Sequence, residues 1–269
     1  MKGGDIALSF RLYAEKECFF LKTLPKKDGE AIFLAESQGL KEIEQTQIIK
    51  VPEVLSLGSF EDQSFLLMRF IESRNADQTD FENLGRGLAE MHQISSENFG
   101  FKTDNFIGLL PQKNEPRNNW SDFYAENRLF PQLRLAVKKK LLSPHEIPDN
   151  KLLLDGLRSL IDTSKPSLLH GDLWAGNYLI ALNGTPYLID PAVYYGHREA
   201  DLAMSRLFGG FDEAFYLAYY EIWPQEPGEN ERIKIYQLYH LLVHLNLFGL
   251  GYKASVKRTL DRYFGKKLR

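Results

Sequence analysis

Asp172, Asn177 and Asp190 are the residues whose types and spacing could do chemistry. The run His170-Gly171-Asp172-Leu173-Trp174-Ala175-Gly176-Asn177 sets an acid and an amide five residues apart around a glycine. It is too polar and glycine-rich for plain helix, and the apolar pair Leu168-Leu169 leads into it from buried structure. Tyr178-Leu179-Ile180 follows, then Asn183-Gly184, a strong short-range signal for a tight type I′ hairpin turn. The return arm runs through Pro186 to Ile189 and ends on Asp190. A hairpin with Asp and Asn at its entrance and Asp at its exit gathers three oxygen-bearing side chains at one end. Hard cations such as Mg²⁺ take oxygen ligands and leave room for phosphate oxygens. Asn177, through its amide oxygen, and Asp190 suit that metal, and Asp172 remains to orient and deprotonate an alcohol, as phosphoryl transfer requires. The bland alternative is that Asp172 and Asn177 only close turns through side-chain-to-backbone bonds.

Such a centre needs a cation for the phosphates. Lys22 ends the apolar strand Cys18-Phe19-Phe20-Leu21, so its ammonium emerges at an edge, and Glu36 on the next helix could pair with it. The same two residues also read as a solvated lysine and an unrelated surface acid. Gly3-Gly4 would let backbone N–H groups approach phosphates closely, or is a flexible N-terminus. His170 reads as a structural histidine, Asp201 as hydrogen-bonding support for the loop, and His197, Arg198 and Glu199 as charge pairing. His240 and His244 share a helix face at a spacing that could bind metal. With no carboxylate or cysteine to complete such a site, they read as pocket lining or helix packing. Trp174 and the pair Tyr194-Tyr195 could wall a sugar ring or belong to the core.

The elements that must position these residues fall into two groups. Residues 1–71 read as strands around one helix: an alternating, half-buried strand over Ile6, Leu8, Phe10 and Leu12, the strand ending at Lys22, a helix over 30–44, and a buried strand at Phe65 to Met68. The polar stretch 72–80 marks a boundary, and residues 72–269 are mainly helical apart from the hairpin. Helices are expected over 81–93, 122–140, 152–161, 201–208, 212–220 and 232–248, with an amphipathic tail. Residues 99–120 read as a long loop with Gly100, Gly108, Pro111 and Pro116. The class is α+β, a small strand-rich lobe joined to a larger helical one.

Composition sets the outer limits. The 269 residues carry a net charge of −3, which points to neither nucleic acid nor an anionic membrane surface as partner. Cys18 is the single cysteine, excluding an internal disulfide and suiting a reducing cytoplasm. No apolar stretch is long enough to span a bilayer, so a cytoplasmic protein is expected.

Taken together, the chain resembles the fructosamine/ketosamine-3-kinase family, a branch of the aminoglycoside-phosphotransferase-like kinases. The resemblance rests on 170–177 and on the run from Ile189-Asp190-Pro191 through Tyr194-Tyr195-Gly196-His197-Arg198-Glu199 to Met204, continuing in Leu207-Phe208-Gly209-Gly210-Phe211. Further matches are Gly3-Gly4-Asp5-Ile6, Phe99-Gly100-Phe101, Asp104-Asn105, Ile107-Gly108, Pro111-Gln112 and Tyr239-His240-Leu241-Leu242. It implies a protein-kinase-like two-lobe fold with a small antiparallel β-rich N-lobe. It also implies ATP- and Mg²⁺-dependent phosphorylation of the 3-hydroxyl of ketosamines such as fructosamine, ribulosamine or erythrulosamine, free or on glycated protein lysines, as deglycation repair. By the family pattern Asp172 is the base, Asn177 and Asp190 the Mg²⁺ ligands, and Lys22 and Glu36 the phosphate-binding pair. Met68, Arg69, Phe70 and Ile71 form the hinge that meets adenine, and Trp174, His240 and His244 line the acceptor side. The family pattern carries a helix and strand ahead of the glycine pair; with Met1 two residues from Gly3, a weaker ATP site is expected. The alternatives are an antibiotic- or choline-type kinase, whose cationic acceptors call for an acidic pocket, and a nucleotide-binding pseudokinase.

Overall fold

The computed structural model describes residues 7–14, 17–161 and 165–265, so the pair Gly3-Gly4 lies outside the described residues. Strands β1 (Leu8–Ala14), β2 (Glu17–Pro25), β3 (Val54–Phe60) and β4 (Gln63–Arg69) form an antiparallel sheet in the order β1-β2-β4-β3. Helix α1 (Lys26–Thr46) starts directly after Pro25, outrunning the expected 30–44 at both ends. It covers the sheet face that carries Lys22, Leu24, Leu66 and Met68, all buried. The alternation in β1 is real, but its apolar set faces the wrong way for a half-buried strand. Ser9 pairs with Lys22 and so shares the α1 side, which leaves Leu8, Phe10 and Leu12 exposed at 67%, 45% and 40%.

After Arg69 the chain leaves this sheet. The short strand β5 (Ser73–Arg74) pairs with a strand of the catalytic hairpin, and α2 (Gln78–His92) follows, its first turn closed by reciprocal bonds between Asp77 and Asp80. The expected loop at 99–120 is instead a packed β structure. Phe99 bridges to Arg117, Gly100 bridges to Tyr195, and β6 (Asn105–Ile107) turns into β7 (Leu110–Gln112). Its strands are too short to show a period in sequence, and buried amides in place of apolar residues hold it. Helices α3 (Trp120–Phe123) and α4 (Phe130–Lys138) are joined by a π-helical turn over Tyr124–Leu129, and α5 (Asn150–Leu160) follows.

Next comes the hairpin. β8 (Ser167–Leu169) leads into the loop, and β9 (Tyr178–Ala181) and β10 (Pro186–Leu188) are its arms; β11 (Tyr194–Gly196) returns to pair with β8. The turn is a three-residue loop, not the expected type I′. The Asn183 side chain accepts the Thr185 N–H at 3.1 Å, so Asn183 stays at negative φ and only Gly184 enters the left-handed region, at φ 84°.

Helices α6 (Glu199–Leu207), α7 (Glu213–Ile222), α8 (Glu229–Phe248) and α9 (Lys253–Phe264) complete the larger lobe. α2 packs along α7 and α6 along α8. The core of this lobe is aromatic: Trp120 lies against Phe123, Tyr124, Tyr194 and Tyr236, and its indole N–H donates to the Tyr236 hydroxyl at 3.0 Å. Tyr194 is therefore core, not a wall of the cleft, and Tyr195 turns its hydroxyl toward Glu42. Among the described residues no helix is long and apolar enough to cross a membrane.

Candidate active site

Lys22 does not end its strand as expected: it lies inside β2, paired with Ser9 and Leu66, on the sheet face that α1 covers. Its Nζ lies 2.7 Å from Glu36 Oε1 and 2.5 Å from Asp190 Oδ1, and its side chain is only 8% exposed. Burial disfavours the ammonium, but Asp190 and Glu36 outweigh that cost and raise its pKa. Burial raises the Glu36 carboxyl, Lys22 pulls it down, and Asp190, a second acid on the same cation, adds to the raise. One lysine thus joins the helix of the small lobe to the hairpin exit of the large one, 168 residues away.

The loop over 170–177 is held from beneath by Asp201 on α6. Its carboxylate accepts the backbone N–H groups of His170 at 2.7 Å and Gly171 at 2.9 Å, and a ring nitrogen of His92 lies 3.2 Å away. Buried His170 donates from Nε2 to the Ile189 carbonyl at 2.9 Å and accepts the Asp172 N–H on Nδ1 at 3.2 Å. Burial lowers its pKa, as a neutral structural role requires. Gly171 has no substitute here: its φ is 84°, and an added Cβ would sit 2.1 Å from the Ala192 carbonyl oxygen.

Asn177 Nδ2 donates to the Asp172 carbonyl oxygen at 2.8 Å and lies 3.2 Å from Oδ2 of the same residue. The Asn177 amide oxygen takes part in no hydrogen bond among the described residues and is left for a ligand. Asp190 spends Oδ1 on Lys22 and leaves its other oxygen toward the cleft. This all-oxygen pair fits Mg²⁺, which takes few protein ligands and completes its shell with phosphate and water. Among the described residues no three His, Cys, Asp or Glu gather as a metal cluster, so a tight all-protein cage is not available. Asp190 also adopts φ 56°, a left-handed conformation that a non-glycine residue holds only under constraint. Burial pushes the Asp172 carboxyl up to about 7, with Asp190 and Asp201 adding repulsion and the Asn177 bond opposing.

These groups line one end of a cavity of about 390 Å³ that continues between α1, the β6–β7 hairpin and the end of α8. The far end is formed by Phe106, Ile107, Gly108, Phe208, His244, Phe248 and Tyr252, with Trp174 between. The His244 ring stands 4.7 Å from Phe208, 5.1 Å from Tyr252 and 5.4 Å from Phe248, and burial lowers its pKa.

Lys22, Glu36, Asp172, Trp174, Asn177, Asp190 and His244 are thus brought together as expected. His240 is not: it is buried and does not line the cavity, its Nδ1 has no hydrogen-bond partner among the described residues, and burial lowers its pKa to about 3. Met68, Arg69, Phe70 and Ile71 do not line this cavity. Met68 is buried under α1, the Arg69 N–H donates to the Glu53 carbonyl, and the Phe70 N–H donates to the Cys18 carbonyl. His197 carries no charge for pairing, since burial lowers its pKa to about 3, whereas Glu199 and Arg232 form a buried two-bonded pair at 2.6 and 2.8 Å. The aromatic wall lies outside the sequence expectations, although His244, Phe248 and Tyr252 recur every fourth residue, as one helix face would.

Fold and site define the class. This is a two-lobed, protein-kinase-like α+β protein, built like a Streptococcus pneumoniae choline kinase and an aminoglycoside phosphotransferase, with TM-scores of 0.58 and 0.57 at 15% identity. The model of the fructosamine kinase family matches residues 1–266, and the chain belongs to that family of ATP-dependent kinases. A protein of Enterococcus faecium named a probable ketoamine kinase is 40% identical over 97% of this chain and 93% of its own length. A chloroplastic protein-ribulosamine 3-kinase of Arabidopsis thaliana is 39% identical over 97% of this chain and 80% of its own. A crystal structure from Haemophilus somnus, assigned as a fructosamine-3-kinase, superimposes with a TM-score of 0.89 at 29% identity, covering 98% of this chain and 89% of that one.

Proposed function

We propose that this protein transfers the γ-phosphoryl group of ATP to the 3-hydroxyl of a ketosamine, the adduct of a sugar with an amine, including adducts on protein lysines. The observation that carries the reading is the position of Asp172. Its carboxylate lines the same cavity as Lys22, Asn177 and Asp190 and as the aromatic residues Trp174, Phe208, Phe248 and Tyr252. An acceptor hydroxyl there would lose its proton to Asp172 as its oxygen bonds to phosphorus and the bond to the departing ADP oxygen breaks. Lys22, with two of its protons on Glu36 and Asp190, keeps the third for a phosphate oxygen. Asn177 and Asp190 would hold Mg²⁺, which when bound neutralises phosphate charge. We assign adenine to the backbone of the hinge 68–71, which lies beyond the lining of the cavity described above, and with it a lobe boundary at 71/72. The Ile71 N–H, which makes no hydrogen bond among the described residues, supports that assignment.

The acceptor end favours a ketosamine over the fold's other substrates. Among the described residues, its side chains Phe106, Ile107, Phe208, His244, Phe248 and Tyr252 include no carboxylate, and burial lowers the pKa of His244. Polycationic antibiotics and choline would find no counter-charge there, whereas a sugar ring stacks readily on Trp174 and its aromatic neighbours. The names of the relatives agree with this chemistry.

The test is direct. Incubated with ATP and Mg²⁺, the protein should add one phosphoryl group, read as product mass, to at least one of ribulosamine, erythrulosamine and fructosamine derivatives of lysine. Choline and aminoglycosides should remain unmodified. Phosphorylation of choline with all three ketosamines untouched would overturn the reading.

A further inference from the structure

The segment after Asp190 is gripped by the β6–β7 hairpin, whose Asn105 also lines the cavity. Asn105 Nδ2 donates to the Val193 carbonyl at 2.7 Å, and Gln112 Nε2 donates to the Ala192 carbonyl at 3.1 Å and to Asn105 Oδ1 at 2.8 Å. Both side chains are buried. Behind them Asn114 Nδ2 donates to the Thr103 carbonyl at 3.0 Å and to Asn105 Oδ1 at 2.9 Å. Arg128 Nη2 then donates to Asn114 Oδ1 at 2.8 Å. From α8, the Tyr239 hydroxyl donates to Gln112 Oε1 at 2.7 Å.

This chain of bonds has one direction. A primary amide can be turned end for end, but a guanidinium only donates and a backbone carbonyl only accepts. With Arg128 at one end and the carbonyls of Thr103, Ala192 and Val193 at the other, each intervening amide has a single orientation that satisfies its neighbours. Arg128 is an unusual anchor. It is fully buried, has no carboxylate within ion-pair distance among the described residues, and lies over the Tyr194 ring at 3.9 Å. The π-helical turn Tyr124–Leu129 carries it, a distortion that recurs at functional sites.

What the amides hold explains why they are needed. Asp190 sits at φ 56°, and such a backbone persists only where its surroundings over-determine it. On its N-terminal side, Ile189 is fixed by bonds to Asn177 and His170. On its C-terminal side, the Ala192 N–H bonds to the His170 carbonyl, but among the described residues the carbonyls of Ala192 and Val193 are met by the side chains of Gln112 and Asn105.

We propose that Asn105 and Gln112 are positioning residues that clamp the 192–193 backbone and so aim the Asp190 carboxylate at its cation. The proposal rests on the reading of Asp190 as a Mg²⁺ ligand. It also gives the β6–β7 hairpin a second task, since its residues 106–108 wall the acceptor end of the same cavity.

The test compares ADP binding by calorimetry in EDTA and in Mg²⁺, for the natural protein, Gln112→Met and Tyr239→Phe. In the natural protein Mg²⁺ should tighten ADP binding. Loss of the Gln112 amide, with its bonds to the Ala192 carbonyl, Asn105 Oδ1 and the Tyr239 hydroxyl, should shrink that gain about tenfold in Gln112→Met. Removing only the hydroxyl that orients the amide should shrink it about two- to threefold in Tyr239→Phe. Affinity in EDTA should stay unchanged in both, which a general loosening of the fold would not produce. If Gln112→Met does not fold, Tyr239→Phe decides alone. An unchanged Mg²⁺ gain in the variants, or equal losses with and without Mg²⁺, overturns the clamp while leaving Asp190 as ligand. No Mg²⁺ gain in the natural protein overturns both.

Discussion

The two ends of the cleft are built on opposite principles. At the phosphate end Lys22 lies 2.7 Å from Glu36 and 2.5 Å from Asp190, and Asp190 in turn repels the buried Asp172 carboxyl. At the acceptor end Phe208, His244, Phe248 and Tyr252 meet ring against ring, with no formal charge. The difference follows from the tasks. Phosphoryl transfer is catalysed by holding charge where charge develops, and a water-poor site magnifies such groups. Recognition of a sugar and its amine stem needs shape and apolar area, and a fixed charge there would favour the wrong acceptors.

The sharpest way to break this comparison is Asp172→Asn. Turnover should fall by about 10³-fold or more, with ADP binding retained, because only the base is removed. In the natural enzyme the rate should decline as pH falls through about 7, where Asp172 takes up a proton. The stability effect has the opposite sign. A carboxyl whose folded pKa is raised contributes stability that is present at low pH and lost as pH rises through the folded value. Asp172→Asn should therefore raise Tm at pH 8 by about 2–4 °C for each ~1 kcal/mol of relieved charge burial, with little change at pH 4. A thermal scan at the two pH values checks it.

Next in size is Lys22→Met, which leaves Glu36 and Asp190 facing each other without their cation. Turnover should drop by about 10²–10³-fold, as for loss of one donor to developing negative charge. Denaturant melts should show a loss of about 3 kcal/mol at pH 8 from the uncompensated buried acids. The loss should be smaller at pH 5, where Glu36, already raised by burial, takes a proton. The smallest expected effect is at the other end. Phe248→Ala should raise the ketosamine KM about five- to tenfold, leaving the KM for ATP and, within about threefold, kcat unchanged. A fall in kcat alone would mean the wall acts on the transferring group, and the division between the two ends would fail.

The phosphate end was legible from sequence because most of it is local. Asp172, Asn177 and Asp190 hang on one hairpin, and a hairpin brings its two mouths together whatever surrounds it. Lys22 and Glu36 could be named only as candidates, since a lysine after an apolar run and a helical glutamate are ordinary surface features until a fold buries them. The β6–β7 hairpin was missed for the opposite reason. Its strands are three residues long, and buried amides reaching carbonyls 80 and 88 positions away hold it. Similarly, His240 and His244 could not be separated by spacing, because both lie on the buried side of α8 and only the packing of α6 and the turn at Tyr252 opens one to the cleft.

What the chain determined by itself were the features encoded over short distances: the lobe composition, the helices, and the hairpin with its three oxygen-bearing side chains. Tertiary structure alone decided that Lys22 bridges Glu36 and Asp190, that Asp190 is held in a left-handed backbone, and that the acceptor end is aromatic and neutral. The physical reason is that a local pattern records which face of an element is apolar. Charge balance, burial and hydrogen-bond direction depend instead on which distant faces meet.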